Sequence, residues 1–222
     1  MVDICSNYGH RFDIKFNPRK SQTTVFGGSA PSGFILKLNE APVPYVDKVK
    51  YLGIYIKSRT NCVYPSGALR KFFGCFYFNN IMAVLGYGRD DMSAVHLMKP
   101  YCLPILLYGC EIWSMSPSDK HNVDVAWNNC FRKVFNAFWR ESVKPFLFYC
   151  NTLPASLLVE QRKMIFYNKT LLSNNIVLRI LCALHRNEAQ KLSFMYHIFP
   201  GHSSNIDIKR AVWSRFVGLL VI

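Results

Sequence analysis

Hydrophobic and polar positions change their texture once along this chain. Up to about residue 56 the apolar residues come in short β-rich clusters at 23–26, 34–38 and 49–56, set apart by Gly27, Gly28 and Pro31 and by Pro42 and Pro44. Bounded runs of this kind predict the strands of one small antiparallel sheet. A helix over residues 1 to about 9 is predicted to end at Gly9, the residue type suited to a left-handed cap. From about residue 64 the pattern turns helical, with breaks near 86–90, 115–119, 139–145 and 151–154, and four to six helices are expected. The clearest spans about 119–138, where Val123, Trp127, Cys130, Phe131, Val134, Phe135 and Phe138 recur at three- and four-residue steps opposite Asp124, Asn128, Arg132 and Lys133, the stripe of a helix facing a core. A second runs over about 154–173, with Leu157, Leu158, Met164, Ile165, Leu171 and Leu172 apolar and Arg162, Lys163 and Lys169 elsewhere. Its basic face either follows a nucleic acid or is simply solvated. The pattern as a whole predicts an α+β chain, a small β part followed by a mainly α-helical one.

Composition adds a partner class. The chain has 222 residues, and 50% hydrophobic content is ample for a buried core, which excludes a disordered protein. The 27 Lys and Arg against 13 Asp and Glu give a net charge of +14, and residues 57–222 hold +11 of it. That excess, with 15% aromatics, suits a surface that follows a phosphate backbone and offers rings for stacking. The 8 cysteines are spread without any Cys-x-x-Cys pair, several inside apolar helical patterns. They read as reduced core residues of an intracellular protein, nuclear or cytoplasmic, because Met1-Val2-Asp3-Ile4 lacks the basic start and apolar run of a secretory signal. His185, His197 and His202 have no close cysteine pair, so no zinc knuckle is expected. The longest apolar runs, 101–110 and 216–222, fall short of the roughly 18–20 residues of a membrane span. The second run ends the sequence, and is expected to be either a docking helix or the scar of a truncated reading frame.

Particular runs carry a resemblance. Val2-Asp3-Ile4-Cys5-Ser6-Asn7-Tyr8 leads through Lys15-Phe16-Asn17-Pro18-Arg19-Lys20-Ser21 to Tyr51-Leu52-Gly53; later come Leu103-Pro104-Ile105-Leu106-Leu107-Tyr108-Gly109-Cys110-Glu111-Ile112-Trp113 and Asn128-Asn129-Cys130-Phe131-Arg132-Lys133-Val134-Phe135. In this order they resemble the end of the palm and the thumb of reverse transcriptases from non-LTR (LINE-type) retrotransposons, over residues 1 to roughly 185. The resemblance implies a partial palm at residues 1–56, a helical thumb and connection at 57–200 and a tail at 201–222. The hairpin carrying the metal-binding aspartates is expected upstream of Met1. The intact family uses Mg²⁺; this chain is expected to hold no cofactor or metal itself. Its partners are expected to be RNA and DNA, gripped along the template-primer backbone, and the missing N-terminal part of the polymerase.

The same likeness assigns residues. Lys20 stands at the position of the palm lysine near the incoming nucleotide's phosphates, where a lysine can act as an acid toward the leaving pyrophosphate; the competing reading is a turn at Asn17 and Pro18 with Lys20 solvated. Tyr51, Leu52 and Gly53 match the primer grip, in which glycine permits a close approach to the sugar-phosphate chain; the competing reading is a buried strand relieved of crowding by Gly53. Asp90 and Asp91 imitate the metal-binding aspartate pair but fail on spacing, context and order, and a helix cap explains them better. Glu111, expected inside an apolar helix, needs a buried partner. The residues expected to touch nucleic acid are therefore Asn17, Lys20, Tyr51, Leu52, Gly53, Arg132, Lys133, Arg162 and Lys163. The expectation is a truncated reverse transcriptase (RNA-directed DNA polymerase) fragment, inactive alone. Its alternative is a non-enzymatic nucleic-acid-binding or interaction protein domesticated or decayed from a retrotransposon.

Overall fold

A computed structural model describes residues 2–28, 33, 35–38, 40–58, 69–77, 90–112, 115–184, 186–198, 201 and 203–220, of which 181–189 by their backbone alone. The break expected near 86–89, Phe34 of the second β cluster and Trp113 lie outside the described residues. The chain is mixed α+β and divides into two compact units, Met1–Tyr64 and Pro65–Ile222. Residues 201–222 therefore belong to the second unit.

In the first unit, α1 (Val2–Arg11) continues past Gly9, so Gly9 is no left-handed cap. The chain reverses at Asp13, whose φ is 51°, and folds back until the amide of Ile14 reaches the Gly9 carbonyl at 2.9 Å. A Cβ on Gly9 would lie 2.7 Å from the Ile14 carbonyl oxygen, and that close approach is what glycine serves here. The expected single sheet is two separate ribbons: β1 (Lys37–Leu38) with β2 (Ala41–Pro42), and β3 (Lys48–Tyr51) with β4 (Ile54–Lys57), both antiparallel. The cluster at 23–26 contributes only an isolated parallel bridge between Thr23 and Tyr45. Pro42 and Pro44 explain the short second ribbon partner, since proline has no amide to extend a ladder. Leu38 and Val43 are the buried apolar residues among those described in this unit.

The second unit is helical: α2 (residues 69–77), α3 (Asp91–Tyr101), α4 (Leu103–Leu106), α5 (Pro117–Val134), α6 (Lys144–Tyr149), α7 (Ala155–Leu171), α8 (Ile176–Leu184), α9 (Arg186–Tyr196) and α10 (Asn205–Gly218). The expected four to six helices are thus too few. The run 103–113 does not form one helix: α4 stops, Gly109 takes φ 71°, and a 3₁₀ turn (Cys110–Ile112) carries Glu111. Helix α5 begins with a capping box in which Ser116 and Asp119 bond each other's backbone amides at 3.1 and 3.0 Å. Its core stripe is Val123, Trp127, Cys130, Phe131 and Val134, all buried. Phe138 drops out of that stripe: the helix ends at Val134, Asn136 turns the chain at φ 50°, and Phe138 is 76% exposed. Rings of Phe72, Trp127, Phe131, Phe135 and Phe146 form a chain with neighbouring centroids 5.0–6.4 Å apart. Trp127 Nε1 donates to the Leu153 carbonyl at 3.2 Å, which satisfies its one polar atom inside the core.

Of the apolar run 216–222, residues 216–218 close helix α10, 219 and 220 form a turn, and 221 and 222 lie outside the described residues. Ile208, Val212 and Phe216 of α10 are buried, and buried Asn168 of α7 clamps the loop before them, donating to the Ser203 carbonyl at 2.9 Å and accepting from the Gly201 amide at 2.8 Å. Four helices also meet at one charged hub. Glu160 on α7 accepts from Lys120 of α5 at 3.0 Å and from the Tyr196 hydroxyl of α9 at 2.6 Å, while Arg215 of α10 lies 5.1 Å above the Tyr196 ring. Burial and the adjacent carboxylate hold the Tyr196 hydroxyl well above the ordinary tyrosine range. Among the described residues no helix is long and apolar enough to cross a membrane.

Candidate nucleic-acid interface

The first unit presents a hairpin. Strands β3 and β4 pair Tyr51 with Ile54, leaving Leu52 and Gly53 as a two-residue turn with φ 47° and 82°. Both central residues at positive φ make the turn whose twist matches the flanking strands. Glycine suits that conformation, whereas leucine is strained in it. Tyr51 and Leu52 are 65% and 72% exposed, so the reading of this segment as a buried strand is overturned: Gly53 serves a turn. Register sorts the side chains between two faces. Val49 lies opposite Ile56 and Tyr51 opposite Ile54 on one face; Lys48 lies opposite Lys57 and Lys50 opposite Tyr55 on the other. Lys48 Nζ stands 4.3 Å from the centre of the Tyr55 ring and Lys50 Nζ 5.8 Å. Lys48, Lys50, Tyr55 and Lys57 were not singled out from sequence, although the alternation Lys-Val-Lys-Tyr and Ile-Tyr-Ile-Lys contains them.

In the same unit, Asn17 Oδ1 accepts from the Arg19 amide at 3.1 Å and caps a 3₁₀ turn (Pro18–Lys20). The Lys20 amide closes the turn onto the Asn17 carbonyl at 3.1 Å, and Ser21 Oγ donates to the same oxygen at 2.9 Å. Asn17 is thus a structural cap, with Lys20 exposed at the end of the turn.

In the second unit, the four cations expected on one basic surface are not together. Lys133, at the end of α5, is exposed and reaches the Tyr77 hydroxyl of α2 at 2.6 Å, with its Nζ 4.4 Å from that ring's centre. Arg132 is half-buried and holds the loop after α5, donating to the Glu141 carbonyl at 3.2 Å and to Asn129 Oδ1 at 3.0 Å. Arg162 is half-buried and turned toward the Leu107 carbonyl, 3.4 Å away, and Lys163 is only 6% exposed. The apolar spacing of 154–173 misplaced Lys163 because α7 is covered on several sides, by α5, α8, α9, α10 and the 3₁₀ turn. The charges of Arg162, Lys163 and Glu111 converge on the thiol of Cys110, which burial pushes up to about 12. Glu111 thereby lies in a charged cluster beside α7. The loop held by Arg132 brings forward residues that sequence spacing hid: Phe138 and Trp139 are 76% and 74% exposed, and Arg140 lies 4.6 Å over the Trp139 ring.

Asp90 caps α3. Its Oδ2 accepts from the Ser93 amide at 2.9 Å and from Ser93 Oγ at 2.6 Å, and these bonds hold the carboxyl below its ordinary range. Asp91 is the first residue of the helix. With Asp90 Oδ2 occupied as a cap, the pair does not fit a two-metal site. Among the described residues no three His, Cys, Asp or Glu side chains gather as metal ligands. No family model, curated protein or solved structure matches the chain.

Proposed function

We propose that the chain binds the phosphate backbone of RNA or DNA as the primer-grip and thumb part of a non-LTR retrotransposon reverse transcriptase. The observation that carries this reading is the lysine face of the β3–β4 hairpin. Lys48 and Lys57 are directly opposite, which sets two positive charges side by side on one face of the hairpin. Lys50 adds a third positive charge, and Tyr55 beneath them keeps the ammonium groups close. The motif at the hairpin tip is Tyr51-Leu52-Gly53, which in the resembled family grips the primer strand. Lys20, exposed at its turn, supplies a further cation in the same unit. In the second unit Arg140 lies over exposed Trp139, next to exposed Phe138, and Lys133 lies over Tyr77, cation and aromatic pairs suited to backbone and base contact.

A second reading, a non-enzymatic interaction protein descended from such an element, is favoured by the exposed apolar residues Ile176, Val177 and Ile180 of α8. Heparin retention separates the two. Replacing Lys48, Lys50 and Lys57 together by Gln, and separately Lys133 and Arg140 by Gln, is expected to lower the eluting salt in each case. Unchanged elution of both variants would remove the nucleic-acid reading and leave the interaction protein.

A further inference from the structure

Inside the second unit the Sγ atoms of Cys75 on α2 and Cys102 at the junction of α3 and α4 lie 3.6 Å apart, with Cys75 also 3.6 Å from the Tyr101 carbonyl to which it donates. Cys102 is fully buried and Cys75 half-buried. One sulfur is therefore sheltered while the other can be reached from solvent. Cys130 of α5 is near enough to Cys102 for their charges to interact, but it is buried, it donates to the Ala126 carbonyl of its own helix at 3.3 Å, and burial raises its thiol far above the usual range. Its sulfur is engaged within its own helix, whereas the Cys102 sulfur lies directly against that of Cys75. A disulfide has sulfurs about 2.0 Å apart, so Cys75 and Cys102, at 3.6 Å, need to close by about 1.6 Å.

We infer that Cys75 and Cys102 are an oxidation site that takes a hydroperoxide and closes to an intramolecular disulfide. The Cys75 sulfur attacks hydrogen peroxide, the O–O bond breaks, an S–O bond forms and water leaves, giving the sulfenic acid. The Cys102 sulfur then attacks that of Cys75; the S–S bond forms, the S–O bond breaks, and the departing hydroxide takes the Cys102 proton as a second water. Two thiols lose two electrons in all, and the peroxide gains them. The bond joins α2 to the corner between α3 and α4. It thereby fixes the helix whose Phe72 packs on Trp127 and whose Tyr77 holds Lys133.

The test treats the full-length reduced chain with hydrogen peroxide, blocks remaining thiols with an alkylating agent and maps the peptides by mass spectrometry. The expected result is one dominant intramolecular link, Cys75 to Cys102, reversed by dithiothreitol and accompanied by a higher Tm, because closing the loop restricts the unfolded chain. Cys75→Ala, with its fold checked by circular dichroism, is expected to lose the link and leave Cys102 unmodified. The native chain carries its own control: in denaturant the same oxidation is expected to scatter among other cysteine pairs. A dominant link through any other cysteine, oxidation of Cys75 to sulfinic acid without a disulfide, or the same pairing with and without denaturant would overturn the inference.

Discussion

At the scale of single residues, backbone strain sits at the tip of the exposed β3–β4 hairpin. Leu52 holds φ 47° at the tip of the β3–β4 turn, a conformation that asparagine tolerates and leucine does not. Leu52→Asn is expected to raise stability by about 1 kcal/mol, the order of the left-handed penalty, read as a rise in the denaturant midpoint at unchanged slope. A fall in that midpoint would mean that exposed Leu52 makes packing contacts worth more than its strain. Lys163 shows the opposite case, a cation sheltered inside a charged cluster. No spacing rule announced this, since in a helix covered on several sides the polar stripe that sequence reveals need not face solvent.

At the scale of elements, what local chemistry controls was legible. The cap at Asp90, the long α5 with its stripe from Val123 to Val134, and α7 were all expected within a few residues of where they stand. What long-range packing controls was not. Gly9 looked like a helix end because glycine commonly serves there, but the chain folding back over it sets its role. The Asn168 clamp before α10 and the hub on Glu160 join residues 33 to 40 positions apart in each hydrogen bond, beyond any local pattern. Glu160→Ala is expected to cost about 1–3 kcal/mol, because it strands the buried Tyr196 hydroxyl as well as removing the bond to Lys120. A loss below about 0.5 kcal/mol in chemical denaturation would show that water replaces the carboxylate. Tyr196 also gives a pH signature. Its pKa is higher folded than unfolded, so its contribution is intact below the ordinary value of 10.0 and declines as pH rises beyond it. Tyr196→Phe is expected to flatten the alkaline limb of a Tm-versus-pH curve relative to the native chain. Superimposable alkaline limbs would remove the tyrosine from the account.

At the scale of the whole molecule, each unit carries cations set over aromatic rings: Lys48 and Lys50 over Tyr55, with Lys57 opposite Lys48, in the first, and Lys133 over Tyr77 and Arg140 over Trp139 in the second. The net charge of +14 supplies a long-range attraction toward any polyanion, and these cations are the proposed points of contact. Phosphate contacts release counterions, so each adds about 0.9 to the slope of log affinity against log salt on a duplex. The most direct test is the affinity of the full chain for an RNA–DNA duplex of arbitrary sequence, measured by fluorescence anisotropy over a salt series. Three to six contacts predict a slope of about −3 to −5, falling in magnitude by about 2 to 3 when Lys48, Lys50 and Lys57 are all changed to Gln, with little dependence on sequence. A flat salt dependence, or a slope that the triple variant leaves unchanged, would contradict the assignment of nucleic-acid backbone binding to this chain.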